Sequence, residues 1–226
     1  GGGGLIQLPV LLWTFPSASL ASILGTNKAV SIVGTSTAAN TYRKQMQVNA
    51  KLLIPMMSAA FVGSLFGALL ATNVSREVFE PVILVILIAV GTFTILRPDF
   101  GKLEQRREVS PALAPLIGLV IGFYDGLIGP GTGMFLLFSL VSFVGTSFLG
   151  ASAIAKFVNV ATNLAALIIF IPGGHILWIV AALMAPANLI GGYLGARTAL
   201  DRGSSFVRFV FLIVLAALIV RLVITF

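Results

Sequence analysis

Long apolar runs separated by short polar segments dominate the chain. The most continuous runs are Val82–Leu96, Pro111–Ile128, Phe148–Ile171, Ile176–Leu200 and Phe206–Phe226. Each approaches the roughly 20 residues that a helix needs to cross about 30 Å of hydrocarbon. The runs are continuous rather than alternating, which favours helices over a closed β-barrel. The pattern therefore predicts an all-α, polytopic membrane helical bundle that spans the bilayer several times.

The composition and charge of the chain are typical of a membrane protein and limit the classes of partner expected for it. Apolar residues make up 58% of the chain and charged residues 9%, and the mean hydropathy is +1.08. The net charge of +7 resembles that of a nucleic-acid-binding protein, but the basic residues lie mostly between the apolar runs, at 43–51, 97–107 and 197–202. Such segments usually face the cytoplasm. We therefore expect the lipid bilayer, and no nucleic acid, as a partner.

The absence of cysteine restricts the possible chemistry. With no cysteine and a single histidine, His175, the sequence offers no disulfide, no thiolate nucleophile and no histidine cluster for a metal. We expect no metal, no cofactor and no enzymatic activity.

The two halves of the chain are related. An ungapped comparison at an offset of 128 gives 19 identities over 98 pairs, where composition alone gives roughly 8. The identical pairs include Lys28 with Lys156, and Gly1 and Gly3 with Gly129 and Gly131. Internal repeats of this kind are typical of transporters. The predicted organisation is a first repeat at 1–98, incomplete at its N-terminus, a cytoplasmic linker at 99–110 and a second repeat at 111–226.

Loop charge predicts that the repeats are inverted. Segment 41–51 carries three basic residues, whereas its counterpart 169–179 carries none, so the two should face opposite sides of the membrane. This requires the glycine-broken element, Pro111–Leu127 followed by Met134–Val144, to return to its starting side as a re-entrant hairpin. Each repeat then has one re-entrant element and about three spanning helices. The loops at 41–51, 97–110 and 197–204 are predicted inside, and those at 16–22, 72–78 and 171–175 outside.

A glycine-rich segment is the first candidate for a binding site. Between Gly122 and Met134 the sequence places Asp125 and the run Gly129-Pro-Gly-Thr-Gly133 inside an apolar stretch. Broken backbone at membrane depth survives only in a protein interior or a water-filled cavity, where half-helix N-termini offer donors to an anion. The first repeat opens on the matching Gly1–Gly4. The alternative is that these glycines only allow close helix packing.

Two lysines inside apolar helices are the second candidate. A central Lys costs about 2.5–3.5 kcal/mol on translocon scales and usually faces a cavity or a partner. Lys28 and Lys156 are related by the repeat, so they are predicted to bring positive charge from both halves to one small oxyanion. Alternatively, they extend to the headgroups. Asp125 is either a proton carrier or a structural partner of a lysine.

Polar side chains accompany the lysines along their helices. Asn159 and Asn163 share one helical face with Lys156. The first repeat has a weaker counterpart, formed by Thr26, Asn27, Ser31 and Thr35. Both ligand binding and interhelical hydrogen bonding explain these residues. The GxxxG patterns Gly63–Gly67 and Gly191–Gly195 predict close helix packing.

Several motifs together resemble the TauE/SafE sulfite exporter family of membrane transporters. They are the run Gly1–Pro9, Gly25-Thr-Asn-Lys28 before Tyr42-Arg-Lys44, Gly122-Phe-Tyr-Asp-Gly126 through Gly129-Pro-Gly-Thr-Gly133, Ala155-Lys-Phe-Val-Asn159, and Thr162-Asn163. In that family a helix and an Asp-containing stretch normally precede the first glycine run, and here the chain opens on the glycines.

The resemblance implies a permease for sulfite, sulfoacetate or a related anion in a prokaryotic inner membrane. It assigns to the substrate pathway Gly1, Gly2, Gly3, Gly4, Thr26, Asn27, Lys28, Asp125, Gly129, Pro130, Gly131, Thr132, Gly133, Lys156, Asn159 and Asn163. Apart from the resemblance, Asp125 is the candidate for proton coupling.

Three functions compete at this point. A secondary transporter working by alternating access is preferred, because the sequence carries no ATP-binding motif. An anion channel is the second hypothesis, and an intramembrane enzyme is the third. The substrate, the direction of transport, the coupling ion and homo-oligomer formation stay open.

Overall fold

The described part of the chain is helical. The computed structural model describes residues 3–79, scattered positions between 81 and 92, and residues 113–225, so Gly1, Gly2 and the predicted linker 99–110 lie outside it. The helices are α1 (Gly3–Thr14), α2 (Leu20–Gln45), α3 (Ala50–Ala71), α4 (Leu113–Leu127), α5 (Thr132–Phe143), α6 (Phe148–Phe170) and α7 (Trp178–Thr225). Residues 76–79 are also helical.

Among the described residues, three helices are long and apolar enough to cross a membrane: α3, α6 and the first part of α7, Trp178–Arg202. Helices α4 and α5 are apolar but shorter. The all-helical prediction is confirmed for the described residues.

Serine side chains fix the starts of the two lysine-bearing helices. Ser19 Oγ accepts a hydrogen bond from the Ser22 N–H at 3.2 Å, and Ser147 Oγ accepts one from the Gly150 N–H at 3.1 Å. These N-caps satisfy backbone donors that the first helical turn leaves without partners. Helices α2 and α6 consequently begin 128 positions apart, at residues 20 and 148, and α3 and α7 do so as well, at 50 and 178.

The predicted helix break lies between α4 and α5, and it is short. Gly129 and Gly131 have positive φ angles of 94° and 82°, a backbone conformation that glycine adopts without steric cost. Pro130 lies between them and cannot donate a helical hydrogen bond. Gly122, Asp125 and the other residues up to Leu127 remain helical, so the break is confined to residues 128–131.

Helices α3 and α4 pack side by side in the same direction through glycines. A Cβ atom built on Gly118 would lie 2.4 Å from the carbonyl oxygen of Met56, and one on Gly122 would lie 2.3 Å from that of Ala60. Successive contacts therefore lie closer to the C-terminus on both helices, so the two helices are parallel. The backbones approach so closely because neither glycine has a side chain.

Two buried clusters mark opposite ends of the bundle. The cluster containing Phe170, at what we call the Phe170 end, joins the last turns of α3 and α6 to the end of α1 and the start of α2. The cluster containing Met56, at the Met56 end, joins the first turns of α3, α4 and α6 to α5. Helices α4 and α6 therefore start at the same end, so the chain returns to the Met56 end through α5.

The lysine-bearing helices α2 and α6 run in opposite directions. A Cβ built on Gly25, near the start of α2, lies 3.0 Å from the Cβ of Phe170, at the end of α6. Midway along both helices, Asn163 Nδ2 lies 3.3 Å from Thr35 Oγ1. Thr35 and Asn163 are themselves 128 positions apart.

The C-terminal helix is longer than predicted. The sequence suggested two apolar runs joined by a loop at 197–204, but α7 is continuous from Trp178 to Thr225. No proline follows Pro186 in this helix, and Arg197 Nε lies 3.9 Å from Asp201 Oδ2 on the exposed surface, at the i,i+4 spacing that suits a continuing helix.

Candidate functional site

Two short helices begin next to each other in the interior. A Cβ built on Gly4, in the first turn of α1, lies 3.9 Å from the Cα of Pro130, in the break before α5. From there α1 runs to the Phe170 end, and α5 runs to the Met56 end. Each has 12 residues and is about 18 Å long, shorter than the hydrocarbon core. The N–H groups of both first turns, with the positive ends of their dipoles, therefore lie in the same region, as an anion site requires.

A buried ion pair lies at this junction. Lys28 Nζ is 2.9 Å from Asp125 Oδ1, and the two side chains are 3% and 7% exposed. Thr132 Oγ1 lies 2.7 Å from the same carboxylate oxygen. The other carboxylate oxygen, Asp125 Oδ2, is buried and has no hydrogen-bond partner among the described residues. The pair links α2 of the first half to the broken element of the second half.

The backbone between α4 and α5 leaves room for the Lys28 side chain. A Cβ on Gly129 would lie 3.2 Å from Lys28 Nζ, and the positive φ angle at Gly129 also favours glycine. Thr132 Oγ1 is 2.6 Å from the Gly129 carbonyl oxygen, and the Tyr124 hydroxyl donates to the carbonyl of Pro130. These contacts fix the backbone of residues 129–132 around the ammonium group.

Thr26 and Asn27, which precede Lys28, have different surroundings. Thr26 is completely buried; its hydroxyl donates to the Ser22 carbonyl at 2.6 Å and accepts from the Leu177 N–H at 2.8 Å. Both contacts hold the helix and the loop before α7. Asn27 is also buried, and its Oδ1 has no hydrogen-bond partner. Of these two side chains, Asn27 is therefore the one with an unused acceptor.

The second lysine lies on the other side of the helix crossing. Lys28 and Lys156 each precede the Thr35–Asn163 contact by seven residues on antiparallel helices. At 1.5 Å per residue their Cα atoms are about 20 Å apart along the helices. Lys156 is partly buried and, within the described residues, forms no ion pair. The two lysines thus lie on opposite sides of the Thr35–Asn163 crossing.

The two asparagines on the Lys156 face of α6, Asn159 and Asn163, have different environments. Asn163 bonds to Thr35 across the helix interface, which is the interhelical alternative considered for these residues. Asn159 is partly buried and its Oδ1 has no partner. Gly131, Thr132 and Gly133 lie at the start of α5, as predicted, and Gly3 and Gly4 lie at the start of α1.

Sequence reasoning missed two buried polar residues near the site. Gln7 lies one turn after Gly4, is 6% exposed, and its Nε2 donor has no partner. The signal was present, because Gln7 interrupts an otherwise apolar stretch. Ser64 is completely buried and donates to the Thr162 carbonyl at 2.8 Å. Nothing in the sequence marks that bond, because it depends on the packing of α3 against α6.

Buried charge and two helix N-termini are the main features of the described interior. Within the described ranges no group of three or more metal-ligating side chains occurs. Helices long and apolar enough to cross a membrane accompany two helix N-termini that meet beside a buried ion pair, which indicates a membrane transport protein. The model of the sulfite exporter TauE/SafE family matches residues 1–222, and the chain belongs to this family of membrane transporters.

Curated relatives have the same general description. The chain is 35% identical over 223 residues to "Probable membrane transporter protein ORF9" of Sinorhizobium sp, covering 98% of this chain and 85% of that protein. It is 32% identical over 209 residues to a "Probable membrane transporter protein" of Haemophilus influenzae, covering 92% and 81%. It is 31% identical over 223 residues to "Probable membrane transporter protein YfcA" of Escherichia coli K12, covering 98% and 82%. No solved structure matches the chain.

Proposed function

We propose that this protein is a secondary transporter that carries a small sulfur-containing oxyanion, such as sulfite or an organosulfonate, across a prokaryotic inner membrane. The observation that carries the proposal is the meeting of the α1 and α5 N-termini at Gly4 and Pro130. Two helix starts aimed at one interior region supply N–H donors and partial positive charge for an anion without a permanent ligand.

The proposed transport cycle is alternating access between two inverted repeats. In this cycle α1 and the α4–α5 pair are re-entrant elements, and the halves rock around the anion near the midplane. Support comes from the antiparallel course of α2 and α6 and from the return of α5 to the end at which α4 begins. The repeats are residues 1–98 and 111–226.

Each lysine is proposed to face the anion from one side of the junction. The glycines at the two helix starts shape the backbone, while Asn27 and Asn159 supply amide groups at the edges of the site. Lys156 is the stronger candidate for direct contact, because Lys28 is engaged by Asp125.

Counterflow in proteoliposomes tests this function. Labelled sulfite, sulfate, thiosulfate and sulfoacetate are offered outside vesicles preloaded with the same unlabelled anion. A carrier accumulates the label transiently and saturates, whereas a channel does neither. We expect saturable counterflow for at least one of these anions.

The lysines are tested by substitution in the same assay. Lys156→Met should weaken apparent anion affinity about ten- to hundredfold, because a charge-assisted hydrogen bond contributes about 1.5–3 kcal/mol. Lys156→Arg should weaken it less. The matched control is Lys51→Met at the exposed start of α3, which should behave as wild type. Unchanged affinity in Lys156→Met would remove this lysine from the site, and absence of counterflow for every anion would overturn the proposed function.

A further inference from the structure

The carboxylate of Asp125 occupies the position in which Lys28 would meet an anion. Two donors, Lys28 Nζ and Thr132 Oγ1, converge on one oxygen of that carboxylate at 2.9 and 2.7 Å. Both belong to the set predicted to bind substrate. A transported oxyanion would need the same donors, so it competes with a group that is part of the protein.

Charge makes that competition unfavourable while Asp125 is ionised. The pair is buried, so an anion arriving at Lys28 would face a second negative charge within a few ångströms in a region of low dielectric constant. A proton on Asp125 removes this repulsion and releases the ammonium group. Asp125 Oδ2 is the free position for the proton, because it is buried and has no hydrogen-bond partner.

We propose that Asp125 takes up one proton whenever the anion binds at Lys28, so that the protein carries one proton together with each anion. This inference rests on the proposed function and adds the coupling ion. Before binding, the site holds an ammonium group and a carboxylate. In the loaded state it holds the ammonium group, a neutral carboxylic acid and the anion. The only bond formed is the O–H bond on Asp125, and it breaks when both ions leave.

Other titratable groups near the pair are few among the described residues. Helices α1 and α5 carry no charged or titratable side chain, and α3 carries only Lys51, at its start. On α4, Tyr124 donates to the carbonyl of Pro130. On α6, Lys156 lies beyond the helix crossing. His175 precedes α7 and contacts Gly25, one turn before Lys28.

Two further carboxylates in the described ranges, Glu77 and Asp201, are exposed. Asp125 is thus the buried acid of the described residues, and it is the group whose protonation changes the charge at Lys28.

A pH gradient across proteoliposomes tests the coupling. Thiosulfate is the first probe because its charge does not change over the working pH range, and sulfite is the second. The membrane potential is held at zero with potassium and valinomycin, and the outside is made acidic. Wild type should accumulate the anion up to about tenfold per pH unit, the limit for one proton per anion. An internal pH indicator should record proton entry that depends on the anion.

Asp125→Asn separates coupling from binding. The amide keeps an acceptor for Thr132 but cannot exchange a proton, so we expect counterflow without accumulation driven by pH. The matched control is Asp201→Asn, an exposed carboxylate near Arg197, which should accumulate the anion as wild type does. If Asp125→Asn does not fold, the dependence of wild-type accumulation on the pH gradient decides whether transport is coupled to protons.

The wild-type measurement alone can overturn the inference. Counterflow of thiosulfate or sulfite that no pH gradient drives would refute proton coupling and leave the transporter intact. Proton-driven accumulation by Asp125→Asn would refute the role of this residue. No counterflow of either probe in wild type, with none of sulfate or sulfoacetate, would remove the proposed function and this inference with it.

Discussion

At the scale of single residues, Thr26 shows how a side chain in a family motif serves the fold. Its hydroxyl accepts from the Leu177 N–H while donating to the Ser22 carbonyl. The contact joins α2 to the loop that leads into α7. Both hydrogen bonds of the Thr26 hydroxyl therefore serve the fold.

The Thr26→Val substitution tests this role. Valine has nearly the same shape but leaves the Leu177 N–H without its partner, which costs about 1–3 kcal/mol. We expect a thermal unfolding midpoint in detergent several degrees below that of wild type, with anion affinity changed by less than about threefold. Thr37→Val is the control, because the Thr37 hydroxyl donates to the Val33 carbonyl of its own helix. A large loss of affinity with wild-type stability would instead make Thr26 a ligand.

The sequence marked Lys28 and Asp125 as unusual and offered a lysine partner for Asp125 as one alternative, but it did not indicate which lysine. Lys28 and Asp125 were recognisable because a charge inside an apolar run is costly. Their pairing depends on how α2 packs against the break after α4, which no local pattern encodes. The distance between the two lysines along their helices follows from the antiparallel crossing at Thr35 and Asn163, which no local pattern locates.

At the scale of helices, α3 and α4 pack closely against each other through glycines. The pattern Gly63–Gly67 predicted it, and Cβ atoms on these residues would lie 2.2 and 2.1 Å from carbonyl oxygens of α4. Its counterpart in α7 differs, because Gly191 and Gly195 have nothing within 4 Å. The same sequence pattern therefore has a packed and an unpacked form, and only the neighbouring helix distinguishes them.

Alanine substitutions at Gly122 and Gly195 test whether the two helices differ in how closely their glycines are packed. Gly122→Ala would place a methyl group 2.3 Å from the Ala60 carbonyl oxygen, so α3 and α4 must separate, at about 1–3 kcal/mol or more. We expect a clearly lowered unfolding midpoint. Gly195→Ala should leave the midpoint unchanged or slightly raised, because alanine has the better helix propensity. Equal midpoints for both variants would contradict the close α3–α4 contact.

Helix boundaries were predictable where a local chemical signal marks them. Gly129, Pro130 and Gly131 interrupt the helix because two of them need positive φ angles and the third lacks an N–H. The loop expected at 197–204 was wrong, because charged residues alone do not end a helix. There Arg197 and Asp201 lie one turn apart on the exposed surface.

At the scale of the whole molecule, the predicted topology assigns sides to loops. The loop at 46–49 is predicted to be cytoplasmic, and the loop at 171–177 to be on the opposite face. The chain has no cysteine, so single cysteines can be introduced without background. Gln47 and Pro172 are both exposed and suit this purpose.

Thiol labelling of these two variants tests the inverted arrangement. An impermeant maleimide added to intact cells should label Pro172→Cys, whereas Gln47→Cys should react only after the membrane is permeabilised. The two positions lie in equivalent connections of the two repeats, so labelling of both from the same side would exclude inversion. Transport by each variant verifies that the fold is intact.

The contact between Thr35 and Asn163 has an evolutionary consequence. These residues occupy the same position in the two halves. In an ancestor made of two identical chains, this residue would therefore have contacted the same residue of the other chain. Such a position must be self-complementary, with the same side chain acting as donor and acceptor. Gene duplication and fusion remove that restriction. One position can then carry an amide and the other a hydroxyl, and the two halves can diverge in sequence.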